Sequence, residues 1–174
     1  KEYKLAQHLR YDNTKIKPYN EQVRTLTSKG FALWDVIQSC EREGSLDSAI
    51  TKEIPNAIPT FCQKHPSVKR IVLANGGTSS TLFNKHFKHW WESGELKPGV
   101  NEHSAKVFRK FAKKTNNFEC GEIEVICALG VSPAAASYTY EEKRDFWEKY
   151  CFGPGLQDHD VLNCGGEEEE DEGK

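Results

Sequence analysis

The chain of 174 residues carries 24 basic and 26 acidic side chains and is 37% hydrophobic. That suits a single domain with a buried core and excludes a membrane-spanning helix, which would need about 18 apolar residues in a row. The last ten residues, GGEEEEDEGK, hold six of the acidic side chains and one of the basic ones, so the net charge of -2 covers a body with 23 basic and 20 acidic side chains, which permits a polyanionic partner without requiring one.

The polar residues 1 to 18 read as a solvated surface segment. Residues 19 to 28 place Val23 and Leu26 at helical spacing, and Lys29 with Gly30 makes a basic last turn and a glycine stop. The next apolar run, residues 31 to 36, is too short for a helix and reads as a buried strand with Asp35 at its end. Ser39, Arg42 and their neighbours then form a loop, and Ser45 caps a short helix to residue 51. Asn56 is placed to cap a second helix with Ile58, Phe61 and Cys62 on one face and a stop at His65 and Pro66. Residues 68 to 74, VKRIVLA, read as a second strand.

That strand empties into Asn75, Gly76, Gly77, Thr78, Ser79 and Ser80, then a helix carrying Leu82, Phe83, Phe87, Trp90 and Trp91. A strand, a glycine turn and a hydroxyl-rich helix start have the general shape of an anion site. The lysine of a P-loop and the third glycine of a dinucleotide fingerprint are both absent. The helical spacing of the aromatics argues for core packing over base stacking. Residues 94 to 121 are basic and polar and read as a surface insertion with a short helix around Val107, Phe108 and Phe111. Residues 122 to 129, EIEVICAL, give a third strand, followed by Gly130 and a loop to Tyr138. Thr139 caps a helix from Tyr140, with Phe146, Trp147 and Tyr150 inward and Pro154 as its stop. From Gly155 the chain is expected to be irregular, ending in a disordered acidic tail.

The six cysteines, Cys40, Cys62, Cys120, Cys127, Cys151 and Cys164, contain no CxxC pair and have no companion His cluster. That argues for reduced thiols in an intracellular compartment. Cys40 and Cys127 read as buried small hydrophobes. No signal peptide opens the chain, and with no Met anywhere its start is expected to be processed or missing.

Three strands, each followed by a loop and a helix, imply an α/β fold: a three-layer α/β/α sandwich around a short parallel sheet. The expected organisation is a lead-in and helix over residues 1 to 30, an α/β domain over 31 to 154 with the 94 to 121 insertion, and a tail over 155 to 174. Ligands of such sheets bind outside the carboxyl ends of the strands, which points to Asp35, Ser39 and Arg42.

Three stretches together, LWDVIQSCEREGSLDSAI, HPSVKRIVLANGGTSSTLF and SPAAASYTYEEKRDFW, resemble the uracil-DNA glycosylase superfamily, and most closely its hypoxanthine-DNA (deoxyinosine) glycosylase branch. The resemblance covers about residues 19 to 152, with 94 to 121 unmatched. It implies a parallel α/β/α sandwich with DNA across the strand ends, and monofunctional hydrolysis of the N-glycosidic bond of a deaminated base after base flipping. No cofactor or metal is implied, since a water and electrostatic stabilisation of an oxocarbenium-like sugar suffice. The implied partner is DNA containing deaminated bases, bound by a monomer with no membrane attachment.

The resemblance also assigns roles. Uracil and hypoxanthine present an N–H beside a carbonyl, whereas cytosine and adenine present a bare ring nitrogen beside an amino group. Asp35 stands where the superfamily puts its base-reading side chain, and a fixed acceptor there would leave normal bases unpaired at a cost of about 1 to 3 kcal/mol. Asp35 as a plain strand end that caps its turn is an equal alternative. Asn75 is a second base-recognition candidate. Ser39, Arg42, Ser132, Pro133, Ala134, Ala135 and Ser137 are the DNA-binding candidates, with the serines on phosphates, Pro133 stiffening the loop and the alanines allowing close backbone approach. The family's first motif, a Gly-Ser-rich loop and an Asn-Pro-Arg-Asn-type segment that supplies the catalytic side chain, has no counterpart in residues 1 to 30. The catalytic residue is therefore expected upstream of Lys1. A non-catalytic DNA- or nucleotide-binding module on the same scaffold remains the alternative, and an unrelated α/β hydrolase or nucleotide-binding domain lacks any GxSxG, P-loop or metal cluster to support it.

Overall fold

A computed structural model gives the structure of residues 15–112, 121–131 and 137–164. The chain divides into two compact units, residues 34–143 and a second assembled from residues 1–33 and 144–174.

The larger unit holds a three-stranded parallel sheet flanked by helices, the layered α/β arrangement expected. Besides the sheet it contains an antiparallel pair, β1 (Ile37–Arg42) and β2 (Ile50–Pro55), joined through a 3-10 turn at Asp47–Ala49. Helix α2 (Ile58–Lys64) leads to β3 (Arg70–Leu73), and α3 (Gly76–His86) and α4 (Lys88–Glu92) lead to β4 (Leu96–Pro98). Helix α5 (Glu102–Ala112) then precedes β5 (Ile123–Cys127). The strand order is β3-β5-β4, with both outer strands parallel to β5.

Why β5 is central follows from its sequence. All five residues of IEVIC are buried, as a strand covered on both faces requires. Around it pack Leu73, Phe83, Phe87, Trp90, Trp91, Leu96 and Phe108. The Trp91 ring lies 5.0 Å from that of Phe108, and its indole N–H donates to buried Asn84 at 3.0 Å. The aromatic series is therefore core, as its spacing implied. One charged side chain enters this apolar setting: Glu124, 8% exposed, accepts from Arg70 Nε at 2.7 Å and from the Val100 N–H at 3.1 Å. A single carboxylate thus ties β5 to β3 and to the exit of β4.

Several expectations are corrected. Residues 31 to 36 do not form a buried strand: they have no regular structure, and Leu33 is 95% and Trp34 51% exposed. The run makes ring contacts instead, Phe31 with Phe152 at 6.0 Å and Trp34 with Phe61 at 5.5 Å. The strand comes one step later, largely at residues expected to be a loop, because Ile37–Arg42 finds a partner in Ile50–Pro55, whose first two residues were expected to end a short helix. Cys40 is consequently exposed on β1 rather than buried. Asn56 does not cap α2, since its amide donates to the Asp35 backbone carbonyl at 2.8 Å and Ala57 takes the cap position. Residues 94 to 121 are no mere surface excursion: they supply β4 and place Phe108, 0% exposed, in the core.

In the second unit α1 (Tyr19–Thr27) ends at Gly30, whose φ of 77° and N–H bond to Thr27 O make the expected glycine stop. Helix α6 (Tyr140–Trp147) starts in the larger unit with a reciprocal cap: Thr139 N–H donates to Glu142 at 2.7 Å and Glu142 N–H to Thr139 Oγ1 at 3.2 Å. Pro154 does not stop the chain's helix. A π turn at Glu148–Phe152 passes into α7 (Gly153–Cys164), where a proline in the first turn costs no hydrogen bond. The segment expected to be irregular from Gly155 is therefore helical to Cys164.

Candidate functional site

The carboxyl ends of β3 and β5 lie side by side, since Leu73 pairs with Cys127. From β3 the chain turns through Ala74 and Asn75 into α3, and from β5 it leaves through Ala128, Leu129, Gly130 and Val131. The two exits touch through backbone. Gly76 has φ of 52°, and a Cβ there would stand 3.2 Å from the Ala128 carbonyl oxygen and 3.7 Å from the Gly130 nitrogen. Only glycine meets both demands, left-handed backbone and close approach. The second glycine, Gly77, faces open space.

This arrangement leaves Asn75 exposed at the start of α3 with no side-chain cap bond. Its backbone N–H donates to Ser79 Oγ at 3.1 Å, so the local polar bond is made by the main chain rather than by the side-chain amide. The first N–H groups of α3 lack intrahelical acceptors and point the same way as any helix start.

Behind the turn the end of β5 is held from two sides. Ser80 of α3 donates to Cys127 Sγ at 3.1 Å, and the Cys127 N–H donates to Ser104 Oγ of α5 at 2.9 Å. Ser104 is in turn fixed by Asn101, whose Oδ1 accepts the Ser104 N–H at 2.8 Å. Burial pushes the Cys127 thiol up, offset in part by the Ser80 bond, which suits a structural thiol rather than a nucleophile. Sequence reading missed Asn101 and Ser104. The NEHS stretch, an Asn three residues ahead of a polar side chain before an apolar run, was the available signal of a helix start.

The other sequence candidates are distributed as follows. Asp35 is exposed, and its described contact is the backbone bond to Asn56. Among the described residues no bond joins it to Asn75 or to the β5 exit, and an exposed carboxylate left unpaired carries little of the penalty of about 1 to 3 kcal/mol of a buried one. Ser39 and Arg42 are exposed on β1, in the antiparallel pair rather than on the parallel sheet. Ser137 is exposed in the turn before α6. Ser132, Pro133, Ala134 and Ala135 lie outside the described residues. Among the described residues no group of three His, Cys, Asp or Glu is placed to hold a metal ion, and no helix is long and apolar enough to cross a membrane.

Away from this edge, Lys85 of α3 reaches both oxygens of Glu53 on β2 at 3.0 Å and holds that carboxyl below its ordinary range. Comparison with protein-family models, curated proteins and solved structures finds no match to this chain.

Proposed function

We propose that the chain is a DNA-repair glycosylase domain of the deaminated-base type, acting on hypoxanthine or uracil flipped out of DNA. The observation that carries the reading is the junction of the Asn75-Gly76 turn with the β5 exit, at the carboxyl ends of adjacent parallel strands. It is where an open α/β sheet takes its ligand, and one of the stretches that carry the family resemblance, HPSVKRIVLANGGTSSTLF, contains its Asn75-Gly76 turn. Asn75 suits the chemistry: an amide accepts the base N–H through its oxygen and donates to the neighbouring carbonyl through its nitrogen. Against an amide held in that one orientation, cytosine and adenine, with a bare nitrogen beside an amino group, would leave both bonds unmade. Of the two base-reading candidates, Asn75 is favoured over Asp35 because it stands at this junction.

A second reading, a DNA-binding module without turnover, is favoured by one specific observation: residues 1 to 30 contain no counterpart of the family's catalytic motif. Single-turnover incubation of the chain, alone and with the family's opening motif restored ahead of Lys1, with duplexes carrying one deoxyinosine or one deoxyuridine tests both. Release of free base and an abasic site supports the glycosylase reading. Selective binding with every glycosidic bond intact supports the module. Binding that ignores the deaminated base sinks both.

A further inference from the structure

Helix α5 is amphipathic, and its two faces have different employment. Ser104 and Phe108 are fully buried, and Val107 and Phe111 pack against the core cluster. On the opposite side, at three-residue spacing, stand Lys106 and Arg109, both exposed. Elsewhere on this unit the exposed cations Lys52, Lys85 and Lys88 pair with Glu41, Glu53 and Glu92, whereas Arg42, Lys64 and Lys69 stand singly, away from α5, among the described residues. Lys106 and Arg109 form no ion pair or hydrogen bond among the described residues. Glu102 shares their face one turn earlier and pairs with neither.

The position of this face matters as much as its charge. The first turn of α5 abuts the end of β5 through the bond from Cys127 N–H to Ser104 Oγ. Lys106 follows Ser104 by two residues, about 3 Å along the axis. The uncompensated cations therefore start level with the strand ends along the helix axis, on the face of α5 turned away from them, and continue away from the junction along one helix.

We propose that the Lys106 and Arg109 face of α5 is a phosphate-backbone contact surface that holds duplex DNA independently of its sequence, alongside the strand ends. The identification of DNA as the polyanion rests on the glycosylase reading; the surface itself rests on the charge and placement of α5. Such contacts release condensed counterions, so each lost contact flattens the salt dependence of binding by about 0.9 in log K against log salt. Each cation also attracts the duplex, and Glu102 repels it.

The test is fluorescence anisotropy of an undamaged duplex against the full chain over a range of salt, for the unaltered protein, Lys106→Gln with Arg109→Gln, and Glu102→Gln. All three positions are exposed on a helix, where glutamine is a good helix former, so folding is retained. The expected result is a slope shallower by about 1.8 for the double variant and tighter low-salt binding for Glu102→Gln. An unchanged slope in the double variant, or no binding of the duplex by the unaltered chain at low salt, overturns the proposal. The slope change of the double variant on undamaged duplex reports on α5, whereas preference for deoxyinosine reports on the strand-end junction, so the two readings fail separately.

Discussion

Two adjacent glycines predict opposite outcomes for the same substitution. At Gly76 an alanine must adopt φ of 52° and bring its methyl to 3.2 Å from the Ala128 carbonyl oxygen. The left-handed conformation alone costs an L-residue roughly 1 to 2 kcal/mol, and the crowded carbonyl adds to it. A loss of about 2 kcal/mol is therefore expected, which lowers the melting temperature of a chain of this size by about 4 to 8 °C. At Gly77 nothing lies within 4 Å of the added carbon and the residue is inside α3. Alanine there is expected to stabilise by about 0.5 to 1 kcal/mol, because glycine gives up more freedom on entering a helix. Thermal unfolding of Gly76→Ala and Gly77→Ala side by side reads the difference. If Gly76→Ala melts no lower than Gly77→Ala, the turn does not meet the β5 exit through backbone, and the candidate site loses its foundation.

Other consequences are equally open to measurement. Glu124→Ala removes both the Arg70 ion pair and the acceptor for Val100 N–H from a largely buried position, and a cost of about 3 kcal/mol in urea unfolding is expected; a cost under about 1 kcal/mol, the range of a surface pair, would contradict that role. Glu53, with its carboxyl held below the ordinary value of 4.5 by Lys85, contributes stability that is present above that value and is lost as pH falls through the depressed one. The urea midpoint of Lys85→Gln should therefore show a weaker acid dependence than the unaltered chain, and identical acid profiles would refute the coupling. Cys62 and Cys127, buried and with thiols pushed up, should resist maleimide at neutral pH while exposed Cys40 reacts, as peptide mapping would reveal; native labelling of Cys127 would show that the β5 end opens. Thr139→Ala should cost about 1 kcal/mol through loss of the reciprocal cap on α6, and a change near zero would mean that the cap is idle.

What could be read from the sequence was governed by how locally each element is determined. The glycine stop at Gly30, the Thr139 cap and the aromatic face of α3 and α4 are set by neighbours within a turn or two, and the structure has them where the pattern put them. The parallel sheet was legible because IEVIC and RIVL are, apart from Glu124 and Arg70, short runs of apolar and largely β-branched residues, a composition that suits strands covered by helices. The failures are tertiary. Nothing local distinguishes GFALWD, which packs by ring contacts, from a buried strand, and nothing local tells IQSCER that ITKEIP will pair with it. Pro154 was read as a stop when it occupies the first turn of a new helix, the one helical position where proline is at home. At the site, Asn75 and Gly76 were visible as a turn, but the demand on Gly76 comes from Ala128, more than fifty residues away in sequence.

The central claim is selective recognition of a deaminated base at the junction of the Asn75 turn with the β5 exit. Its most direct test is competition between two duplexes identical except for one deoxyinosine, measured for the unaltered chain and for Asn75→Ala. The account predicts tighter binding of the deoxyinosine duplex, with the preference lost in Asn75→Ala while affinity for the undamaged duplex stays. Equal affinity of the unaltered chain for both duplexes would contradict it.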